Sequence, residues 1–178
     1  MSGHCIVPAV SRLYRYIGPL EIAQAALAHP VGTPIHSPQD LERWSAAQPD
    51  WLDHTLTATF IVLPDGTLRV APRRSEHVGC ALGGPVAAAG ELILSRKPRL
   101  EVISFSNQST GYCPEPDCLH AIRAALTALP IPCPATFTPA YEFRRCIHCG
   151  ERNLIKDAHF ECDCCGRALP QTWNFDDD

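Results

Sequence analysis

Four cysteines near the C-terminus fall into two matched pairs, Cys146-Ile147-His148-Cys149-Gly150 and Cys162-Asp163-Cys164-Cys165-Gly166, with twelve residues between them. Two thiolates spaced C-x-x-C can reach one ion from a single tight turn, and four thiolates close a tetrahedron. That is zinc chemistry, and a closed four-thiolate shell leaves no position for water or substrate. The spacing therefore predicts one structural Zn2+ held by Cys146, Cys149, Cys162 and Cys165. A glycine after each pair tolerates positive φ, so the turn can curl and aim N–H groups at the sulfurs. Disulfides would need an oxidising compartment, to which nothing visible directs the chain. Three spare ligands stand nearby, Cys164, His148 and His159, and any of them could replace a neighbour.

The two knuckles and the residues between them resemble a zinc ribbon. Leu154-Ile155 and His159-Phe160 suit two short strands around a turn at Lys156-Asp157-Ala158, and Tyr141-Glu142-Phe143 suits another. Zinc ribbons serve as structural clips, as protein-docking modules or as nucleic-acid binders. Charge disfavours the last. Between Arg144 and Pro170 the bases are Arg144, Arg145, Arg152, Lys156 and Arg167, and the acids are Glu151, Asp157, Glu161 and Asp163. A phosphate-binding ribbon should present a basic face, whereas this one is nearly neutral and leads into Asp176-Asp177-Asp178. A protein partner is the expected one.

With 178 residues the chain can hold one ordinary domain and a small appendage. A formal net charge of −4 and 46% apolar residues suit a globular protein. No stretch approaches the roughly 20 apolar residues of a membrane span. The first twenty residues lack the apolar core and cleavage site of a secretory signal. The expectation is a cytoplasmic protein of bacterial type, with no membrane partner.

The elements that must position any site follow a simple order. An alanine-rich helix is predicted from Pro19 to Ala28. A second starts with Ser37 as N-cap and Pro38 in the first turn, and runs to about Ala47 with Leu41 and Trp44 on its apolar face. Two hairpins follow: Thr57–Leu63 with Thr67–Ala71 around Pro64-Asp65-Gly66, and Glu91–Ser95 with Leu100–Ser106. Pro114 to Leu129 reads as helix, and prolines 130, 132, 134 and 139 make a linker. The fold class is α+β: an antiparallel sheet with two or three short helices in residues 1–135, then a zinc ribbon and acidic tail in residues 136–178. The basic cluster Arg69, Arg73 and Arg74 reads as a solvated loop.

Residues 75–114 hold the other candidate chemistry. His77 and Cys80 precede Gly83-Gly84-Pro85, Glu91 opens a strand after Gly90, and Asn107, Gln108, Ser109, Thr110 and Tyr112 cluster where a strand ends. A loop there can present polar groups to a ligand. The segment resembles one in bacterial toxin- or effector-type domains, which runs in outline His, Gly-x-Pro-Val, Ala-Gly-Glu, Asn-x-Ser-Gly-His-Tyr-x-Pro. The matching residues are His77, Gly84-Pro85-Val86, Ala89-Gly90-Glu91 and Asn107 to Tyr112. Thr110-Gly111 stands where the pattern has Gly-His, so that histidine's role does not carry over. The resemblance implies ADP-ribosyl-type transfer. His77 and Tyr112 would hold a nucleotide, Ser109 would orient it, and Glu91 would stabilise positive charge on a sugar or act as base.

Three other readings compete. The glycines can serve only turns and strand packing, with Glu91 exposed and Tyr112 a packed aromatic. Cys80 or Cys113 can act as a nucleophile with His77 as base. His77, Cys80, Cys113, Cys118 and Cys133 can form a second metal site, or be small buried hydrophobes.

Overall fold

A computed structural model describes residues 12–176, so the secretory-signal reading largely, and Asp177 and Asp178 wholly, lie outside the described residues. The sheet strands are β1 (Thr33–Ile35), β2 (Thr55–Val62), β3 (Leu68–Pro72), β4 (Ala88–Ser95) and β5 (Glu101–Ser106). They pair in the order β1-β3-β2-β4-β5, every pair antiparallel. Both predicted hairpins are present: β2–β3 turns at residues 63–67, and β4–β5 at residues 96–100.

Three helices have nine or ten residues: α1 (Leu20–Ala28), α2 (Pro38–Ala46) and α4 (Leu119–Ala128). A single turn, α3 (His77–Cys80), completes the α-helices among the described residues. Ser37 caps α2 as expected, its Oγ accepting the Asp40 N–H at 3.2 Å, and Leu41 and Trp44 are buried. The segment read as helix from Pro114 begins as a 3₁₀ turn at Pro116–Cys118 before α4 takes over. The fold class is thus α+β, with an antiparallel sheet.

One sheet face carries Leu56, Ala58, Phe60, Leu92 and Leu94, none more than 3% exposed. With Ile122 and Leu126 of α4 they form the main core. The other face is covered over half its length. Thr55 and Thr57 alternate with buried residues, but every residue of β2 from Ala58 on is buried. Alpha-3 packs against β2 and β3 at that covered end. In β4 the same change occurs at Glu91, the register partner of Thr59. The half of the sheet bearing Thr55, Thr57, Glu91 and Ile93 therefore stays open.

Gly90 marks a close approach. A Cβ there would stand 1.8 Å from the Ser106 carbonyl oxygen, so only glycine lets the end of β5 fold against β4.

The C-terminal unit is a two-stranded antiparallel sheet of β6 (Glu142–Arg145) and β7 (Arg152–Ile155). The return leg expected at His159-Phe160 is reduced to single bridges, Lys156 with His159 and Glu161 with Ala168. Asp157 and Ala158 sit at positive φ in the turn between them. No described helix is long and apolar enough to cross a membrane.

Candidate metal centre and the loop that seats it

Two near-identical knuckles build the centre. Cys146 N–H donates to the Glu151 carbonyl and Gly150 N–H to the Cys146 carbonyl; Cys162 to Arg167 and Gly166 to Cys162 repeat the pattern. Gly150 and Gly166 have φ of 79° and 67°, the left-handed turn that the sequence demanded of them. Each knuckle thereby presents its two sulfurs to the same point.

The sulfurs of Cys146, Cys149, Cys162 and Cys165 all lie within 4.8 Å of one another. Cys146 to Cys165 and Cys149 to Cys162 are each 3.6 Å. A tetrahedron with bonds of about 2.3 Å has sulfur–sulfur edges of about 3.8 Å, whereas a disulfide would need about 2.0 Å. The four cysteines fit a metal ion. N–H groups of Cys165 and Cys164 favour the thiolate at Cys162 and lower its pKa to about 6. At Cys146 burial opposes ionisation, but N–H groups of Cys149 and His148 outweigh it and lower the pKa there too. The second cysteine of each pair, Cys149 and Cys165, is shifted upward instead, so the four thiols share their protons as one set.

The spare ligands stand outside this cluster. Cys164 is exposed. His148 Nδ1 faces an Arg167 guanidinium N–H, and His159 faces Glu161. Asn153 ties the knuckles together, donating to the Glu151 carbonyl and accepting the Asp163 N–H, each at 2.9 Å.

The ribbon is seated on the loop that follows β5. Asn107 is fully buried; its side chain accepts the Tyr141 N–H and donates to the carbonyls of Tyr141 and Pro114. Arg152 donates to the Thr110 carbonyl, and the Trp173 indole N–H to the Cys113 carbonyl at 2.7 Å. Cys113, Phe143 and Phe175 form a small apolar core, with Trp173 and Tyr141 packed against it. Asn174 binds both the N–H and the carbonyl of Arg145, so residues after the ribbon fasten β6 from outside. Arg144, 5% exposed, ties β6 to the Gln171 carbonyl in the same way.

The proposed catalytic residues divide. His77 is half-buried, with Nε2 3.0 Å from the Gly90 carbonyl, and burial lowers its pKa to about 4. It is a neutral imidazole whose Nε2–H donates to a backbone group. Tyr112 is 1% exposed, donates to the Gly84 carbonyl at 2.8 Å and meets Tyr16 edge-on; burial raises its pKa further. Ser109 is 1% exposed, and its Oγ has no hydrogen-bond partner among the described residues. Glu91 is half-exposed on the open sheet face, in a cross-strand row with Thr59 and Ser106. His77 meets β4 one residue before Glu91; Tyr112 is committed elsewhere, to the Gly84 turn.

Of the cysteines read as a possible second metal site, Cys133 is half-buried. Cys80, Cys113 and Cys118 are buried, and burial raises each thiol, to about 11 at Cys80 and about 12 at Cys113. They join no group of metal-ligating side chains among the described residues.

No protein-family model, no curated protein and no solved structure matches this chain.

Proposed function

We propose that the four-cysteine centre binds one Zn2+ and that this ion is structural, holding the ribbon in the shape that seats on the loop after β5. The observation that carries the reading is four sulfurs within 4.8 Å of one another, two of the separations 3.6 Å, inside two matching knuckles. Four thiolates in a tetrahedron select zinc or iron, and a closed shell suits a structural ion. The solvent-facing tip of the ribbon, where Ile147 is 71% exposed, is the surface that a protein partner would use. Metal analysis of the purified chain should give one zinc and no iron. Chelation should then abolish amide-exchange protection in β6 and β7. A metal-free chain that keeps that protection refutes the structural role, and stoichiometric iron refutes zinc.

A second reading has one observation in its favour: Glu91, partly exposed where the open half of the sheet face begins, stands in register between two buried hydroxyl residues, Thr59 and Ser106. This suits a nucleotide-dependent transferase of the ADP-ribosyl type, with Glu91 as the group facing the sugar. Incubation with NAD should release nicotinamide, and Glu91→Gln should abolish that release. Equal release by the variant, or none by either protein, excludes it.

A further inference from the structure

The open half of the sheet ends in a cleft of about 370 Å³, lined by Asp50, Leu52, Thr55, Thr57, Arg73 and Arg74. That volume lies within the range of small-ligand sites. Its cationic wall is unusual in construction. Ser75 N–H donates to the Pro72 carbonyl at 3.1 Å and closes a tight turn with Arg73 and Arg74 at its centre. Consecutive residues of an extended strand would point to opposite faces. Here Arg74 takes a φ of 69°, and both arginines line the same cleft. That conformation suits glycine and strains an arginine. Neither arginine has a hydrogen bond or ion pair with any described residue, so the fold gains nothing from their charge. The third member of the cluster behaves otherwise: Arg69 turns inward and donates to the carbonyls of Cys80 and Gly32.

We propose that this cleft binds the phosphate group of a small phosphorylated metabolite, a sugar phosphate or mononucleotide. Two guanidinium groups lining one cleft match a doubly charged phosphate monoester, where a single carboxylate would occupy only one fork. The Thr57 hydroxyl lines the cleft without a partner among the described residues and adds a neutral donor. The Thr55 hydroxyl donates instead to the Leu52 carbonyl at 2.7 Å. Asp50 is an unpaired carboxylate among the described residues and would repel a bare anion; it accepts from a hydroxyl of the same ligand. Leu52, 72% exposed, offers an apolar wall to a sugar or base. A carboxylate in the cleft and a formal net charge of −4 on the chain both disfavour a polymeric polyanion. The site depends on neither functional reading above.

Calorimetric titration of the metal-loaded chain tests it, with ribose 5-phosphate, adenosine monophosphate, inorganic phosphate and phosphate-free adenosine as probes. The two esters should bind saturably and adenosine should not. Arg73→Gln should weaken ester binding roughly tenfold, the loss of a charge-assisted contact. Arg74→Gly should weaken it as much while raising the melting temperature, because the strained turn relaxes. Asp50→Asn should erase the preference for ribose 5-phosphate over inorganic phosphate. The proposal is overturned if no phosphate compound binds at about 10 mM, or if both arginine variants bind as well as the parent. Equal parent affinity for inorganic phosphate and the esters removes Asp50 from the site and assigns it to the free anion. Tighter binding of a single-stranded oligonucleotide through the same arginines replaces the metabolite with nucleic acid.

Discussion

Asn107 pairs with Tyr141 as one strand pairs with another: its Oδ1 accepts the Tyr141 N–H at 2.7 Å and its Nδ2 donates to the Tyr141 carbonyl at 2.7 Å. The same amide donates to the Pro114 carbonyl at 2.9 Å. One side chain thus joins the end of β5, the approach to α4 and the entry to the ribbon. Asn107→Ala should leave a buried N–H and two carbonyls without partners and cost about 3 kcal/mol or more. Asn107→Asp keeps the acceptor but faces two carbonyls with a charge, and should cost at least as much. Urea denaturation monitored by tryptophan fluorescence measures both; a loss below about 1 kcal/mol would show that water replaces the amide.

The metal centre was legible because its information is local. Two C-x-x-C-Gly pairs specify turn and candidate ligand set within five residues each, and the fold brings Cys146, Cys149, Cys162 and Cys165 into one cluster. The hairpins and the Ser37 cap were legible for the same reason. The role of the loop after β5 was not. Polar residues clustered at a strand end look alike whether they face a ligand or a segment far along the chain. Asn107 faces Tyr141, 34 residues away. The signal that could have found this lies in the aromatics flanking the knuckles. Tyr141, Phe143, Trp173 and Phe175 exceed what so small a ribbon can bury alone, so another surface must cover them. Arg73 and Arg74 are exposed on a turn, as the solvated-loop reading has them, and only Arg69, grouped with them by sequence, departs from it by turning inward from β3.

Gly90 should tolerate no side chain. A methyl group would stand 1.8 Å from the Ser106 carbonyl oxygen and 3.1 Å from the Asn107 Cα, both backbone atoms that a rotamer change cannot move. Gly90→Ala should therefore push β5 off β4 and disturb the Asn107 joint, at a cost of about 3 kcal/mol or more. Thermal unfolding followed by circular dichroism reads the loss. A melting temperature within a few degrees of the parent would show that the strand end adjusts freely.

His77 should make the fold acid-sensitive. Burial holds its folded pKa near 4, below the ordinary 6.5. The folded state resists a proton that the unfolded chain accepts. The contribution is therefore complete above pH 6.5 and is lost as the pH falls from 6.5 towards 4, by up to about 1.4 kcal/mol per pH unit. Acid also releases metal from thiolates, so the informative quantity is the difference between parent and variant. His77→Gln can still donate to the Gly90 carbonyl but does not titrate. The parent should lose stability relative to this variant over that window. Parallel pH profiles would show that His77 titrates normally.

Ser109 distinguishes packing from catalysis in the loop after β5. Its hydroxyl is buried without a partner among the described residues, and an unsatisfied buried hydroxyl destabilises a fold. Ser109→Ala removes that group with almost no change of shape. The variant should be more stable than the parent by about 1 kcal/mol, with its metal content unchanged. A hydroxyl that orients a nucleotide would behave differently: its removal would weaken nucleotide binding or NAD turnover. Urea denaturation and nicotinamide release on the same two proteins separate the cases. A more stable variant with unaltered nicotinamide release assigns Ser109 to the joint between body and ribbon. Lost release without a stability gain would return it to the candidate active site beside Glu91.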